Sequence, residues 1–162
     1  MLSIKIICVG KIKDKSLVNL IEEYKKRLSK YSKLEIIEIE DEKLTNCNSK
    51  ALEEQIKDTE SKKIKEKLEK QGKSISFALD LKGKQFDSVE FSDKIQEIST
   101  YSSSSISFVI GGSLGLTDEI LNLCDYRVCF SKMTFPHQLI RLFLLEQIFR
   151  SFKILNNETY HH

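Results

Sequence analysis

The sequence predicts an α/β domain with a mainly parallel sheet and helices on both of its faces. Five short apolar runs, typical of buried strands, alternate with longer segments in which apolar residues recur at helical spacing. The 162 residues are 40% hydrophobic, which is enough for one domain with its own core. No internal repeat or low-complexity tract divides the chain. We therefore expect residues 1–162 to form a single domain.

The first half of the chain is predicted to hold two strands and two helices. In chain order these are a strand at 4–9, a helix at 17–31, a strand at 34–39 and a helix at 51–71. Gly10 permits a turn after the first strand, and the polar segment 40–50 lacks periodicity, so we expect a mobile loop there. The helix at 51–71 carries only a thin apolar stripe and stops at Gly72, which favours a surface position.

The second half is predicted to add three strands and three helices. In chain order these are a strand at 74–81, a turn at 82–84, a helix with Ser88 as its N-cap, a strand at 106–110, a short helix capped by Thr117, a strand at 127–130 and a helix at 136–156. The last helix begins with proline, whose missing N–H costs nothing there. Its apolar residues cover more than one face, so we expect a second subunit to cover what the sheet cannot.

Charge and cysteine content narrow the class of protein. Lys and Arg number 26 and Asp and Glu 24, so the net charge of +2 does not itself indicate a polyanionic partner. Lysines cluster at 62–73, but the glutamates between them favour a solvated face over an RNA-binding groove.

The cysteines have no metal-site spacing and are expected to be free thiols, which fits the cytoplasm; they are Cys8, Cys47, Cys124 and Cys129. No apolar segment is long enough to span a bilayer.

Two loops that follow predicted strands are candidate ligand sites. Segment 109–116 reads VIGGSLGL, and segment 130–138 reads FSKMTFPHQ and contains the only proline. In a parallel sheet both loops lie beyond the carboxyl ends of strands, where ligands bind. The glycine loop is not GxGxxG, because Ser113 takes the second glycine position, and it lacks the Lys-Ser/Thr of a P-loop. A plain strand-to-helix turn therefore remains an alternative.

The loop at 130–138 is suited to a purine. Its polar residues lie between Phe130 and Phe135, so backbone amides and carbonyls would face a base between apolar walls. His137 could contact a ligand, or it could merely satisfy a hydrogen bond at the start of the helix. The residues alone predict a small-ligand loop.

Four motifs together resemble the small SPOUT-class methyltransferases, which modify N3 of a pseudouridine in 23S ribosomal RNA. They are VGK at 9–11, VIGGSLGL at 109–116, FSKMTFPHQLIR at 130–141 and the terminal YHH. The resemblance runs the whole length of the chain and is least distinctive at 40–71. It implies a C-terminal part threaded into a trefoil knot, an exception to the rule against knotted chains.

The resemblance also implies a cofactor, S-adenosylmethionine, bound in the knot. The implied cofactor contacts are Leu79, Gly111, Phe130, Ser131, Lys132, Met133, Thr134 and Phe135. A homodimer is implied in which the tail of one subunit completes the pocket of the other. The implied substrate is 23S ribosomal RNA in the large subunit or the assembled ribosome, with no DNA or membrane partner.

The C-terminal tail supplies the candidate catalytic residues. Tyr160 and His161 match the family's terminal Tyr-His, whereas His162 stands where the family usually has Arg or Lys. The acceptor is an imide N–H, so a base with a pKa near neutral would help, and His161 is the best candidate by residue type. A histidine in a tail could equally bind phosphate or stack on a base.

Four basic residues are candidate RNA contacts, namely Lys11, Lys132, His137 and Arg141. Arg141 suits a bidentate phosphate contact, although an ion pair at the dimer interface is an equal alternative. Two other functions stay open: a non-enzymatic ribosome-associated RNA-binding module on the same scaffold, and a flavodoxin-like protein that holds phosphate at the glycine loop. Failure to bind S-adenosylmethionine would favour the first, and tight mononucleotide binding would favour the second.

Overall fold

Strands and helices alternate along residues 1–42 and 49–162, the part of the chain that the computed structural model describes. They are β1 (Leu2–Val9), α1 (Lys15–Leu28), β2 (Ser32–Ile39), α2 (Lys50–Glu69), β3 (Ile75–Gln85), α3 (Ser88–Tyr101), β4 (Ser105–Ile110), α4 (Asp118–Leu123), β5 (Tyr126–Cys129) and α5 (His137–Leu155). The five predicted strands and five predicted helices are all present.

All five strands form one parallel sheet in the order β2-β1-β4-β3-β5. Parallel strands place their carboxyl ends along one edge, so the segments after β1, β4, β3 and β5 emerge side by side. This topology confirms the predicted α/β class with a mainly parallel sheet.

Two apolar clusters lie on the two faces of the sheet. Alternate residues of β4 divide between them, because successive side chains of a strand point to opposite faces. Phe108 packs in the cluster formed with α1, α3 and α5, and Val109 packs in the cluster formed with α2 and α4. Helices therefore cover both faces, as predicted.

The last helix, α5, is covered largely by helices of its own chain. α1 and α3 pack against it, and its Leu144, Leu145 and Ile148 are fully buried. Leu139 and Phe143 keep 37% and 39% of their surface exposed. The same chain thus buries more of α5 than the sequence suggested, and a small apolar part of α5 stays exposed.

The predicted turn at 82–84 is wrong, because these residues belong to β3. The ladder between β3 and β5 pairs Leu79 with Val128 and, after an irregularity, pairs Lys84 with Val128 as well. A Cβ on Gly83 would lie 2.7 Å from the backbone nitrogen of Val128, so this close approach requires glycine. The Lys-Gly-Lys sequence suggested a turn, but its glycine allows the backbones of β3 and β5 to lie close together.

The predicted N-cap of α3 is wrong by one residue. Asp87 is the N-cap: its carboxylate accepts from the Glu90 N–H at 2.7 Å, and the Glu90 carboxylate accepts from the Asp87 N–H at 2.9 Å. Ser88 is the first helical residue, and its hydroxyl donates to Gln147 of α5. Asp and Ser are both favoured N-caps, so the sequence did not distinguish them.

Three cysteines are buried free thiols, as predicted: Cys8, Cys124 and Cys129. Burial raises the pKa of the Cys8 thiol to about 12, which keeps it protonated and unreactive. Cys47 and most of the predicted loop at 40–50 lie outside the described residues. None of the described helices combines the length and apolar character needed to cross a membrane.

α2 packs on the sheet with one face and presents charged residues on the other. Ile56 and Ile64 are buried, whereas Lys65 and Glu119 form a 3.0 Å ion pair in which both side chains are largely exposed. Such pairs neutralise part of the lysine cluster, in agreement with the predicted solvated face.

Candidate functional site

A cavity of about 420 Å³ lies at the carboxyl edge of the sheet. Its walls come from the segments at the ends of β4 and β5 and from residues 79–81 within β3; these three strands are adjacent in the sheet and distant in sequence. The predicted site residues that line it are Leu79, Gly111, Phe130, Ser131, Met133, Thr134 and Phe135. Lys132 is exposed and does not line the cavity. The fold thus brings the two candidate loops together with the middle of β3.

The glycine loop after β4 is folded tightly on itself. The Gly115 N–H donates to the Gly112 carbonyl at 3.0 Å, and Gly115 has a φ of +80°, in the left-handed region. A Cβ on Gly111 would lie 2.8 Å from the carbonyl carbon of Gly115. Glycines therefore allow backbone, rather than side chains, to form this wall of the cavity.

The loop between β5 and α5 is held by short-range contacts. The Ser131 hydroxyl accepts from the Met133 N–H at 3.0 Å, and the Cys129 thiol donates to the Ser131 carbonyl at 3.0 Å. The Phe135 ring lies edge-on to Phe143 of α5, with centroids 5.6 Å apart. Aromatic walls with polar backbone between them are typical of small-molecule sites.

Arg141 is buried inside the chain, which contradicts its predicted contact with RNA. It is 3% exposed, its Nη1 donates to Glu38 at 2.7 Å, and its Nη2 donates to the Gly10 carbonyl at 2.9 Å. An ion pair was the alternative, and it exists with both partners in one chain. Arg141 therefore ties the first turns of α5 to the ends of β1 and β2.

His137, four residues before Arg141 in α5, lines the cavity. A Cβ on Gly10, whose φ is +94°, would lie 3.7 Å from His137 Nε2. Burial, with a smaller contribution from the charge of Arg141, lowers the pKa of His137 and favours its neutral form. Lys11, the residue after Gly10, is exposed.

The C-terminal tail folds back onto α5 and onto the turn between α1 and β2 of its own chain. The Tyr31 hydroxyl and Lys153 Nζ both donate to the Glu158 carboxylate, at 2.9 and 2.6 Å. The Tyr160 hydroxyl donates to Glu146 at 2.9 Å. Burial, followed by this hydrogen bond, raises the pKa of Tyr160 to about 12, so its hydroxyl stays protonated near neutral pH.

His161 accepts a hydrogen bond from Arg150. Nη1 of Arg150 and Nδ1 of His161 are 3.1 Å apart, and because arginine can only donate, Nδ1 is the acceptor and Nε2 carries the proton. His161 also lines a second cavity of about 620 Å³, which shares Val128, Phe130, Ser131 and Phe135 with the first. The ring nitrogen able to accept a proton is thus occupied in this arrangement.

A family model described as "Predicted SPOUT methyltransferase" matches residues 2–161. The chain belongs to the SPOUT methyltransferase family. Among its relatives, Ribosomal RNA large subunit methyltransferase H 1 of Clostridium perfringens is 51% identical over 160 residues, which is 99% of each chain. The proteins named Ribosomal RNA large subunit methyltransferase H of Clostridioides difficile and Clostridium acetobutylicum are 51% and 49% identical over the same share of each chain.

The SPOUT family match confirms the resemblance inferred from the four motifs, and it includes segment 40–71, where those motifs gave least information. A solved structure of a probable methylase family protein from Haemophilus influenzae Rd KW20 aligns over 95% of this chain and 66% of its own. Its TM-score is 0.49 at 14% identity, a likeness too weak to bear on the site.

Several residues around this SPOUT cavity escaped sequence reasoning. Glu60 of α2 is buried behind the glycine loop, and it lies between Ile56 and Ile64 at a spacing of four. That spacing places it on the apolar stripe of the helix and could have identified it. Glu146 and Arg150 hold the tail, but they form an ordinary i,i+4 pair, which gave no signal of that role.

Proposed function

We propose that this chain is an S-adenosylmethionine-dependent methyltransferase that acts on large-subunit ribosomal RNA, at N3 of a pseudouridine in the 23S molecule. The observation that carries the proposal is that Leu79, the glycine loop and the loop at 130–135 surround one cavity in a SPOUT family chain. Relatives named as ribosomal RNA large subunit methyltransferases match 99% of the chain, which supports the ribosomal substrate.

The residues at the cavity fit an adenosyl group. The volume of about 420 Å³ falls within the range of small-molecule sites, roughly 300–1,000 Å³. Leu79, Phe130 and Phe135 would contact the faces of a purine, and Gly111 permits close approach of backbone. The bound cofactor supplies a methyl group on a positively charged sulfur. The chain's own task is to hold the acceptor nitrogen in line with that methyl group and to exclude water.

His161 is the proposed proton acceptor for the imide N–H, and Tyr160 is proposed to fix the tail beside it. Tyr160 suits this role because its protonated hydroxyl is bonded to Glu146. For His161 to accept a proton, its bond to Arg150 must open, since that bond occupies the unprotonated ring nitrogen.

The proposed RNA contacts are Lys11, Lys132 and His137. Both lysines are exposed, and either ammonium group can reach a phosphate. His137 would act as a neutral hydrogen-bonding group, because its pKa is lowered.

We further propose a cytoplasmic homodimer in which the C-terminal part of each chain forms a trefoil knot and the tail of one subunit completes the pocket of the other. The exposed Leu139 and Phe143 support an apolar contact along α5. The buried free thiols fit a reducing compartment.

A tritiated-methyl transfer assay tests the function on naked 23S RNA, isolated large subunits and whole ribosomes, each with and without pseudouridine. We expect transfer to at least one substrate that contains pseudouridine and none to its unmodified counterpart. Cofactor binding without transfer to any substrate would refute the activity. Absence of S-adenosylmethionine binding in calorimetry would favour the RNA-binding module instead.

Mixed dimers test the exchange of tails. One subunit carries Gly111→Ala, which weakens cofactor binding in its cavity, and the other carries His161→Ala; S-adenosylmethionine is kept well below the Kd of the Gly111→Ala subunit, so that this cavity stays largely empty. If the tail acts across the dimer, the mixed species has one intact site and regains activity that neither parent homodimer has. If the tail acts on its own chain, the mixture stays inactive.

A further inference from the structure

The buried face of α2 places a carboxylate against the glycine loop. Glu60 is 5% exposed although it belongs to a highly charged helix. A Cβ on Gly112 would lie 3.3 Å from its Oε1 and 3.5 Å from its Oε2. Gly112 itself lines the 420 Å³ cavity, whereas Glu60 does not. The carboxylate therefore lies directly beside the loop and outside the cavity.

The next residue of α2 holds the other end of the same loop. The Ser61 and Thr117 hydroxyls are hydrogen-bonded at 2.7 Å, and Thr117 is also the N-cap of α4. Glu60 Oε2 in turn accepts from the Glu42 N–H at 3.3 Å. Of these two consecutive residues of one helix, Glu60 thus lies beside the beginning of segment 112–117 and Ser61 is hydrogen-bonded to its end.

A carboxylate is an unfavourable choice for this position. Burial raises the pKa of Glu60, and nearby Asp41 and Glu42 raise it further, while the Glu42 N–H and Lys63 oppose the shift. A leucine of similar volume would fill the apolar stripe without this desolvation cost. The carboxylate therefore needs a role other than stability.

We propose that Glu60 is a positioning residue that keeps the glycine loop in the conformation that lines the methyl-donor cavity, because the Glu42 N–H holds its carboxylate directly beside Gly112. It touches neither cofactor nor RNA. The inference rests on the proposed S-adenosylmethionine site and adds to it a residue outside that site.

The test measures S-adenosylmethionine affinity by calorimetry and the free energy of unfolding by urea, in the full chain. Glu60→Leu keeps the volume and removes the acceptor; we expect its Kd to rise about tenfold, the size of one hydrogen bond to a charged group, while its stability is equal or greater. Glu60→Gln keeps an acceptor and should bind within about twofold of wild type. Glu54→Gln, on the exposed face of the same helix, is the matched control and should change neither quantity.

If Glu60→Leu binds S-adenosylmethionine more weakly but is at least as stable as wild type, Glu60 positions the loop. A residue that only supports the fold would lose stability and affinity together. Wild-type affinity in Glu60→Leu would overturn the inference, and so would a loss in Glu60→Gln as large as in Glu60→Leu. A wild-type chain that does not bind S-adenosylmethionine would instead refute the proposed function. The two failures are therefore distinguishable.

Discussion

Replacing Gly111 with alanine probes the tightest contact at the proposed cofactor cavity. The added Cβ would lie 2.8 Å from the carbonyl carbon of Gly115, 3.0 Å from its carbonyl oxygen and 3.1 Å from Cδ2 of Leu116. Two of these atoms belong to backbone, so the loop itself must shift. Overpacking of this kind costs roughly 1–3 kcal/mol. If binding requires the original loop conformation, the Kd for S-adenosylmethionine rises by roughly 5- to 150-fold.

Calorimetric titration of S-adenosylmethionine measures the change, with urea unfolding beside it. The matched control is Gly72→Ala, because Gly72 follows α2 with a φ of +63° and has nothing within 4 Å of an added Cβ. Its left-handed backbone costs an alanine about 1–2 kcal/mol of stability but does not involve the cavity. Wild-type affinity in Gly111→Ala, or an equal loss of affinity in the control, would refute the assignment of the glycine loop as a cofactor wall.

Three further variants test Arg141, His137 and His161. Arg141→Met keeps the buried stem but loses the bonds to Glu38 and Gly10, so urea unfolding should show a loss of roughly 1.5–3 kcal/mol. The pKa of His137 is lowered from its ordinary 6.5, so protonation favours the unfolded chain and wild-type stability should fall as pH drops below that value. His137→Gln should remove this decline, which urea midpoints across about pH 5–8 would reveal. His161→Ala should slow methyl transfer by roughly 10²- to 10⁴-fold with unchanged cofactor affinity. Loss of RNA affinity with intact turnover would contradict the base role.

Elements with a local pattern were predictable from the sequence, and contacts between distant strands were not. The apolar run of β4 and the glycines after it marked a strand and a ligand loop, and both lie where a parallel sheet requires. The join between β3 and β5 depends instead on Gly83 fitting against Val128, 45 residues later by the numbering. No local periodicity encodes that approach, so a glycine between two lysines suggested a turn.

Arg141 shows the same limit at the level of the site. Its residue type and its position in the FSKMTFPHQLIR motif identified it as important, but not what it contacts. Its partners lie 103 residues away at Glu38 and 131 residues away at Gly10. A buried arginine and a phosphate-binding arginine look alike in a sequence, because the difference lies in the strands that fold over it.

The contact between Arg150 and His161 does not exclude His161 as a base, because the energies involved differ in size. Releasing Nδ1 costs one hydrogen bond, about 1–3 kcal/mol. A well-placed general base contributes roughly 10²- to 10⁴-fold in rate, or about 3–5 kcal/mol. Arg150 also keeps its 2.8 Å bond to Glu146, so opening the contact leaves no unpaired charge. The tail can therefore hold His161 in one orientation before RNA binds. When Nδ1 is released, the lowering of the methyl-transfer barrier by the base exceeds the free energy lost with the hydrogen bond.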